Sequence, residues 1–537
     1  MFKFFQSVSF FSLISGILVF LYFTGGGKIL DPTYIEWLFE GDSTTHWLGW
    51  QFFRYSPLLQ WPLGTNISYG LDISSSIVFT STITIFALFF KIFNDFLPNS
   101  FQYSGLWILV CFALQSYFSC KILMLFSKSK YLAFIGSLFF AVAPVFLWRL
   151  QYHYALSAHW IILASFYLYL VSYKNTSYWC ILLCTSSLIE PYLLAMSYPI
   201  FLADLIQRII CKESKRVIAY RFIFISTILF FVMWAAGYFM LESGTGASGF
   251  GHLRTNLLSF IDPDEIWSNV IQNQTGGTGD YEGFAFFGLG MLILLILSIS
   301  QLLYHKTIYF KLKFYPLIIL LVSFFFFALS NNVGMGSLEF FSYKVPFIFE
   351  KLTLTLRSSG RFIWPVYYFL YIYIFFIIFK HYNIKISSII CTILLLIQFA
   401  DSYKVWIFYI DKFSNAPSWS SPLQNPVWEK FASQYNKIIW VNLPRNSKVK
   451  WFPLCQFAAT HKMSINHNYQ GRNDPKKIEI AAANITLTVE NNSYDPNSLY
   501  IFEDDILWLK ALNQLSKHDE SGIIDGYRYL APGFKVH

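Results

Sequence analysis

The chain has 537 residues, of which 55% are hydrophobic, 21% are aromatic and only 13% are charged, and its mean hydropathy is +0.47. This composition is too apolar for soluble domains of that length and predicts a membrane protein. The net charge of +9 does not indicate nucleic acid as a partner, because no dense Lys/Arg block or nucleic-acid motif accompanies it.

Apolar stretches of up to about 20 residues predict an α-helical polytopic protein with about eleven, and at most about thirteen, transmembrane helices. The clearest stretches are residues 10–25, 105–126, 131–148, 222–240, 284–303, 316–329, 362–379 and 386–399. Within residues 177–210, Glu190 and Pro191 interrupt the pattern and predict a tight hairpin of two short crossings. No small-x-small cleavage site follows the first stretch, so we interpret it as a retained helix.

Short loops rich in lysine and arginine indicate the cytoplasmic side. Five loops qualify, around residues 128–130, 174, 208–221, 306–313 and 380–385. They predict a cytoplasmic N-terminus, a first outer loop at residues 28–104 and an extracytoplasmic tail.

The apolar segment 75–96 is critical to this topology, because a crossing there would reverse the side of every later loop. Lys91, Asn94 and Asp95 near its end favour a segment that lies in the interface or dips in and returns. A true additional crossing is the alternative.

Residues 401–537 change to a mixed polar composition with Pro, Asn and Asp turns. The runs 437–443, 463–468 and 499–502 predict strands, and residues 504–515 predict a helix. We therefore expect a transmembrane catalytic domain at residues 1–400 and a small extracytoplasmic α/β domain at residues 401–537.

The first outer loop is rich in acidic residues, with four carboxylates within twelve positions. They are Asp31, Glu36, Glu40 and Asp42, and His46 and Arg54 follow them. At a membrane boundary, a carboxylate beside aromatic rings can be held partly protonated and poised as a general base. An ordinary solvated loop is the alternative interpretation.

Three further groups of polar residues fall at predicted outer helix ends. They comprise Arg149 with His153 and His159, Glu190 with Tyr192, and Glu282. A carboxylate within an apolar run is costly, so a functional role is the first hypothesis for Glu190. The alternatives are an ion pair with Arg149 or a helix cap for Glu190, and ordinary interfacial positions for the two histidines.

Arg357 and Arg361 flank a small Ser-Ser-Gly turn just before a predicted helix. Guanidinium groups and backbone donors at a helix N-terminus suit a phosphate, and an interfacial position suits a lipid phosphate. Arg254 would add a third cation. The alternative is that lipid headgroups merely position these arginines.

The layout of an acidic loop after the first helix, followed by a segment that does not cross, resembles the GT-C superfamily of polyprenyl-phosphate-sugar-dependent glycosyltransferases. More closely, a family of uncharacterised bacterial GT-C-like proteins is similar to this chain over most of its length, including the tail around residues 457–459 and 466–472. The similar motifs are Gly41-Asp42 with His46 and Gly49-Trp50, Trp148-Arg149 with His153 and His159-Trp160, Tyr281-Glu282-Gly283-Phe284, and Arg357-Ser-Ser-Gly-Arg361-Phe362. In related mannosyl and aminoarabinose transferases, the catalytic acid often follows the first helix almost immediately, whereas Asp42 lies further along.

This resemblance implies a GT-C-like fold and an inverting glycosyltransferase of the outer face of a bacterial inner membrane. The enzyme would transfer a sugar from a polyprenyl-phosphate donor to a hydroxyl of a glycan or lipid-linked acceptor. Asp42 or Glu40 would be the base, and Arg254, Arg357 and Arg361 would hold the lipid phosphate. His46, Arg54, Arg149, His153, His159, Glu190, Tyr192 and Glu282 would bind substrate.

No metal is required for this chemistry, because arginines already meet the single phosphate, although Glu40-Gly-Asp42 has the spacing of a divalent-ion motif. The expected partners are the lipid-linked donor, the acceptor and membrane lipid. A transporter or flippase of an anionic lipid-linked saccharide is the main alternative function. A scaffold that binds partners through its tail is a further one.

Overall fold

The computed structural model describes residues 8–171, 176–241, 248–274, 276–306, 311–441 and 448–534. The chain divides into two compact units. The first, here called the helical unit, comprises Met1–Trp37, Tyr103–Val232 and Gly246–Ala416. The second, here called the mixed unit, comprises Leu38–Gln102, Met233–Thr245 and Pro417–His537. The division into domains at residues 400 and 401 stays a prediction.

Within the described residues, eight helices are long and apolar enough to cross a membrane, as expected of a polytopic membrane protein. They are Ser104–Leu123, Lys130–Trp148, Tyr154–Val171, Pro191–Ile210, Lys215–Ala236, Leu312–Leu329, Ser359–His381 and Ile384–Asp401. Three shorter helices, Val8–Phe23, Thr176–Ser187 and Leu289–His305, coincide with further predicted segments. The total of about eleven crossings stays a prediction.

Helix Val8–Phe23 packs closely against helix Ser104–Leu123 through small residues. Ser12 Oγ lies 2.9 Å from Ser116 Oγ of that helix and 2.9 Å from Ser137 Oγ of the next helix, Lys130–Trp148. A Cβ on Gly16 would fall 2.4 Å from the Phe112 carbonyl oxygen. Small side chains that share hydrogen bonds allow backbones to approach in this way inside a membrane.

The predicted helix break at Glu190 and Pro191 is confirmed, but the second helix has 20 residues and is not short, and the two crossings stay a prediction. Helix Thr176–Ser187 ends before it, and helix Pro191–Ile210 begins with the proline at its first position. Proline suits that position because its missing N–H would have no partner there in any case.

Residues 75–96 form a 3₁₀ turn at Ile77–Thr80 and a helix at Thr84–Ile92. Nine helical residues span only about 14 Å at 1.5 Å per residue, roughly half of the hydrocarbon core. The helix is therefore too short to cross, in agreement with an interfacial segment.

The mixed unit contains a five-stranded sheet. Its strands are β3 Lys437–Val441, β4 Ser464–Ile465, β5 Ser498–Phe502, β6 Glu520–Ile524 and β7 Tyr527–Ala531. Their order in the sheet is β4-β3-β5-β7-β6. β4, β3 and β5 are parallel, and β7 and β6 complete the sheet antiparallel. The three predicted strands are confirmed, but the hairpin β6–β7 was not predicted, although Asp525-Gly526 with positive φ at both residues is a strong hairpin signal.

The remaining elements are short and flank these two cores. In the mixed unit they are helices Asp42–Phe53, Val427–Gln434, Lys448–Thr460, Pro475–Glu490 and Asp505–Asn513. In the helical unit they are the two-stranded sheet of β1 Asn332–Met335 and β2 Leu338–Ser342, and helices Glu350–Thr355 and Tyr403–Ser414. Helix Asp505–Asn513 confirms the helix predicted for residues 504–515.

Candidate functional site

A buried carboxylate lies between two arginines in the helical unit. The Arg361 guanidinium donates from Nε to Glu282 Oε2 and from Nη2 to Oε1, both at 2.8 Å. Arg149 donates from Nη1 to Oε2 at 2.9 Å and from Nη2 to the Glu282 carbonyl at 2.6 Å. All three side chains are at most 8% exposed. The structure thus joins three of the predicted site residues in one network.

Two glycines make this network possible. Gly283 follows Glu282 in a 3₁₀ turn at Asp280–Gly283, and Gly360 precedes Arg361 in a turn at Ser359–Phe362. A Cβ on Gly360 would lie 2.8 Å from the Gly283 Cα, and a Cβ on Gly283 would lie 2.3 Å from the Thr255 Cα. Contact between the two backbones therefore places Glu282 beside Arg361.

Aromatic rings cover the guanidinium faces. Arg361 lies 4.4 Å from the centre of the Tyr192 ring. Arg149 lies 4.8 Å from the rings of both Trp148 and Trp364. Such cation–π contacts gain strength where water is excluded.

The carboxyl of Glu282 stays ionised despite its burial. Burial acts to raise its pKa, but the charges of Arg361 and Arg149 lower the pKa more, so it lies well below its usual range. Burial lowers the pKa of Arg149 to about 10, against the opposing effect of Glu282. Both groups therefore remain charged at neutral pH.

Tyr192 ties this network to the Arg357–Arg361 turn. Its hydroxyl accepts a hydrogen bond of 3.0 Å from the Ser358 N–H. The Gly360 N–H donates to the Leu253 carbonyl at 3.0 Å, and the Arg361 N–H donates to the Ser358 carbonyl. These three backbone donors of the turn are already engaged, so the predicted anion site depends on its side chains.

The three arginines predicted to bind lipid phosphate differ in their surroundings. Arg361 is held by Glu282, and Arg254 pairs with Glu339 at 2.7 Å and with Asp280 at 3.1 Å. Arg357 is half-buried and forms no hydrogen bond or ion pair with the residues that the structure describes. Arg357 is therefore the best placed of the three to meet a ligand.

The Arg254 pairs border an open polar cavity of about 720 Å³. His252, Asn331 and Lys344 also line it. Hydrogen bonding to Glu339 raises the pKa of Arg254, so the arginine is charged at every ordinary pH.

Glu190, His153 and His159 are also in the helical unit. Glu190 is buried at the N-cap position of helix Pro191–Ile210, and its charge acts on Arg361. His153 acts electrostatically on Glu282. His159 is fully buried, and its Nδ1 lies 2.8 Å from the Tyr368 hydroxyl. His159 also packs against Trp364 at 4.4 Å, and that ring contacts Arg149. All three residues therefore neighbour the Glu282 network.

The second set of predicted residues lies in the mixed unit, around a cavity of about 190 Å³ that we call the Asp42 cavity. Asp42 is the first residue of helix Asp42–Phe53, where the helix dipole favours a negative charge. Thr44 and Thr45 line the cavity beside it. At about 30 Å³ per water, the cavity holds roughly six water volumes, which suits a small ring.

Aromatic side chains form the rest of the wall: Phe39, Trp451, Phe452 and Tyr469. Phe39 lies 5.0 Å from Phe452, and Trp451 stacks on Tyr469 at 5.9 Å. Three of these rings come from the tail, which the sequence interpretation left without a role. The signal for them was the resemblance around residues 457–459 and 466–472, because Tyr469 lies within the second stretch and Trp451 and Phe452 lie shortly before the first.

The tail residues reach the loop through backbone pairing. The Ile465 N–H donates to the Ser68 carbonyl at 2.9 Å, and the Gly70 N–H donates back to the Ile465 carbonyl at 2.8 Å. The Tyr469 N–H donates to the Tyr69 hydroxyl at 3.1 Å. This pairing fixes Tyr469 over the Asp42 cavity.

Glu40, His46 and Arg54 do not line the Asp42 cavity. Glu40 is exposed, and His46 is buried within the same helix as Asp42. Arg54 is 2% exposed and donates to Asn94 Oδ1 at 2.6 Å and to the carbonyls of Pro98 and Asn99 at 2.9 and 3.0 Å. These contacts give Arg54 a structural role, and its role in substrate binding stays a prediction that they do not favour.

His46 should make the stability of the protein depend on pH. Burial lowers its pKa to about 3 from an ordinary value of 6.5. Below pH 6.5 the unfolded chain therefore binds a proton that the folded chain does not. The free energy of unfolding falls by up to about 1.4 kcal/mol for each unit by which the pH is lowered. Thermal unfolding measured between pH 6.5 and about 3 should show that the melting temperature of the wild type falls more steeply with decreasing pH than that of His46→Gln.

The matched control is His518→Gln, at an exposed position of the same unit. It should leave the pH dependence as in the wild type. Equal slopes for the wild type and His46→Gln would contradict the assignment of a buried neutral imidazole.

Within the described residues, no three His, Cys, Asp or Glu side chains lie together in a way that could hold a metal ion.

Comparisons with known proteins give one family and a distant structural likeness. Residues 13–403 match the model described as domain of unknown function DUF6311, and residues 427–532 match the DUF6311 C-terminal domain. No curated protein matches. Among solved structures, the chain is similar to the Archaeoglobus fulgidus oligosaccharyltransferase crystallised with zinc and sulfate, at 9% identity and a TM-score of 0.36, over 97% of this chain and 73% of that one. A likeness this distant assigns no activity.

Proposed function

The chain belongs to the family described as domain of unknown function DUF6311, and on that premise we propose that it is an inverting glycosyltransferase of the membrane surface. It transfers a sugar from a polyprenyl-phosphate donor to a hydroxyl of a glycan or lipid-linked acceptor. The proposed place is the extracytoplasmic face of a bacterial inner membrane, with the N-terminus in the cytoplasm.

The Asp42 cavity is the observation that carries this proposal. It combines one carboxylate at a helix N-terminus with four aromatic rings. Ligand sites commonly combine apolar and aromatic walls with a few polar groups that fix orientation. A sugar has both complementary surfaces, because its C–H faces pack on rings and its hydroxyls reach a carboxylate.

Asp42 is the proposed general base. It accepts the proton of the acceptor hydroxyl while that oxygen attacks the anomeric carbon from the face opposite the phosphate. The bond between the anomeric carbon and the phosphate oxygen breaks, and the lipid phosphate leaves with the electron pair. Attack from the opposite face inverts the configuration at the anomeric carbon.

Arg357 is the proposed contact for the departing phosphate, since a guanidinium can stabilise the charge that develops there. Arg361 and Arg149 are both paired with Glu282. Their proposed role is to fix the turn that presents Arg357. Tyr192 contacts this turn, Glu190 acts electrostatically on Arg361, and His153 acts on Glu282.

The direct test supplies the purified protein with radiolabelled polyprenyl-phosphate sugars and a lipid-linked glycan acceptor. Formation of an elongated acceptor with inverted anomeric configuration is the expected result. No product from any donor, together with movement of the lipid-linked saccharide across vesicles that contain the protein, would replace the proposal with a flippase.

Arg357→Gln should weaken binding of the donor without weakening the fold. Because Arg357 forms no ion pair with described residues, its loss leaves no buried charge behind. A charge-assisted hydrogen bond to phosphate contributes about 1.5–3 kcal/mol, so we expect the KM for the donor to rise about tenfold or more with an unchanged melting temperature.

Lys351→Gln is the matched control, since it removes one exposed cation from the helix Glu350–Thr355 just before this turn. It should leave the KM unchanged. An Arg357→Gln enzyme with the donor KM of the wild type would remove Arg357 from the phosphate site.

A further inference from the structure

A second cavity of about 610 Å³ lies in the helical unit, where two connections between helices meet. Lys128, Lys380 and Lys385 line it, and all three side chains are exposed. Among its described lining residues there is no Asp or Glu. The lysines therefore concentrate positive charge at this cavity.

The cavity also has an apolar side. Leu132 is buried beneath it, and Phe379 lines it at half-burial. Ile384 and Ile386 are 48% and 44% exposed at the start of helix Ile384–Asp401. A small soluble anion would use only the cationic side of such a wall, whereas an amphiphile would use both sides.

The first turn of helix Ile384–Asp401 adds backbone donors to the lysines. The Asn383 side chain accepts from the Ile386 N–H at 2.9 Å and so fixes the start of the helix. This helix has 18 residues, and the positive end of its dipole borders the cavity. The N-terminus of this helix and the three lysines therefore favour the same kind of ligand, which is an anion.

The cavity and the Glu282 network lie at opposite ends of the same helices. Helix Lys130–Trp148 begins near Lys128 and ends before Arg149, and helix Ser359–His381 contains Arg361 near its start and Lys380 near its end. About 19 helical residues, from Arg361 to Lys380, span roughly 28 Å, which is close to the thickness of the hydrocarbon core. The cavity therefore lies at the opposite helix ends, and so at the opposite membrane surface, from the Glu282 network.

We propose that this lysine-lined cavity binds the phosphodiester headgroup of an anionic phospholipid. The three ammonium groups and the helix N-terminus meet the phosphate, and Leu132, Phe379, Ile384 and Ile386 meet the glycerol and upper acyl chains. Basic pockets between transmembrane helices at the cytoplasmic surface are suited to such headgroups. The lipid holds together two helix connections that otherwise bring like charges close to one another.

The test measures binding of phosphatidylglycerol to the delipidated protein in detergent, with phosphatidylcholine as the neutral comparison. The wild type should retain phosphatidylglycerol and show a raised melting temperature in its presence. The variant Lys128→Gln/Lys380→Gln/Lys385→Gln should need at least about tenfold more phosphatidylglycerol for the same effect. Each lysine is exposed, so these substitutions leave the fold intact.

The matched control, Lys212→Gln/Lys215→Gln/Arg216→Gln, removes the same charge from another connection between helices, where all three side chains are exposed. It should bind phosphatidylglycerol as the wild type does. An equal loss in both triple variants would overturn the site. The proposal would also be overturned if glycerol 3-phosphate bound as tightly as phosphatidylglycerol, because the phosphate group alone would then account for the binding. Glycosyl transfer does not enter either readout.

Discussion

Asp42→Asn is expected to lower the rate of glycosyl transfer by about 10²- to 10⁴-fold, the usual contribution of a positioned general base. The asparagine amide has the same shape, so the Asp42 cavity keeps its walls, but it cannot accept the proton of the acceptor. Initial rates with saturating donor and acceptor measure the effect. The apparent affinity for the donor should change much less than the rate.

Glu40→Gln is the matched control, two residues away. Glu40 is exposed and does not line the Asp42 cavity, so its loss should leave the rate within about twofold of the wild type. A large loss in Glu40→Gln with full activity in Asp42→Asn would transfer the role of base to Glu40. Equal activity in both variants would leave the proposed base without support.

Glu282→Gln is expected to destabilise the folded protein by about 3–5 kcal/mol, the usual cost of removing one partner of a buried ion pair. Two buried guanidiniums, Arg149 and Arg361, would remain without the carboxylate that now faces both. Their mutual repulsion adds to the cost of keeping them out of water. Thermal unfolding in detergent measures the loss.

Glu339→Gln is the matched control, because Glu339 also pairs with a buried arginine, Arg254, but its own side chain is 58% exposed. Water screens that pair, so we expect the free energy of unfolding to fall by about 1 kcal/mol or less in Glu339→Gln. The double variant Glu282→Gln/Arg361→Gln should recover part of the stability lost in Glu282→Gln. If Glu282→Gln were as stable as Glu339→Gln, the description of a buried and mutually dependent network would be contradicted.

The stability that Glu282 contributes should also disappear in acid. Its folded pKa lies below its ordinary value of 4.5, so the contribution is fully present above pH 4.5. It is lost as pH falls from there toward the folded pKa, because the unfolded carboxyl takes up a proton first.

The candidate site was predictable in its residue types but not in its pairing. Arg149, Glu282 and Arg361 were each predicted from charged residues at helix ends. Glu282 meets Arg361 across 79 residues and Arg149 across 133. Sequence spacing does not report such contacts. The close approach of Gly283 and Gly360 decides the contact between Glu282 and Arg361.

The Asp42 cavity shows even more strongly that the sequence does not reveal contacts between distant residues. The carboxylate was predicted from its acidic loop, but Glu40 and Asp42 could not be separated, because related enzymes place the acid nearer to the first helix than Asp42 lies. The helix start at Asp42 separates them by placing only Asp42 in the cavity. Trp451, Phe452 and Tyr469 were missed because they lie some 400 residues away in the tail.

The sequence by itself determined that this is a polytopic membrane protein with a small α/β tail, because apolar length and local periodicity are properties of neighbouring residues. It also predicted the break at Glu190 and Pro191, whereas the interfacial position of residues 75–96 stays a prediction. Only the tertiary structure decided which charges neutralise each other and which rings face Asp42. Those contacts depend on backbone packing between distant segments, which no local pattern encodes.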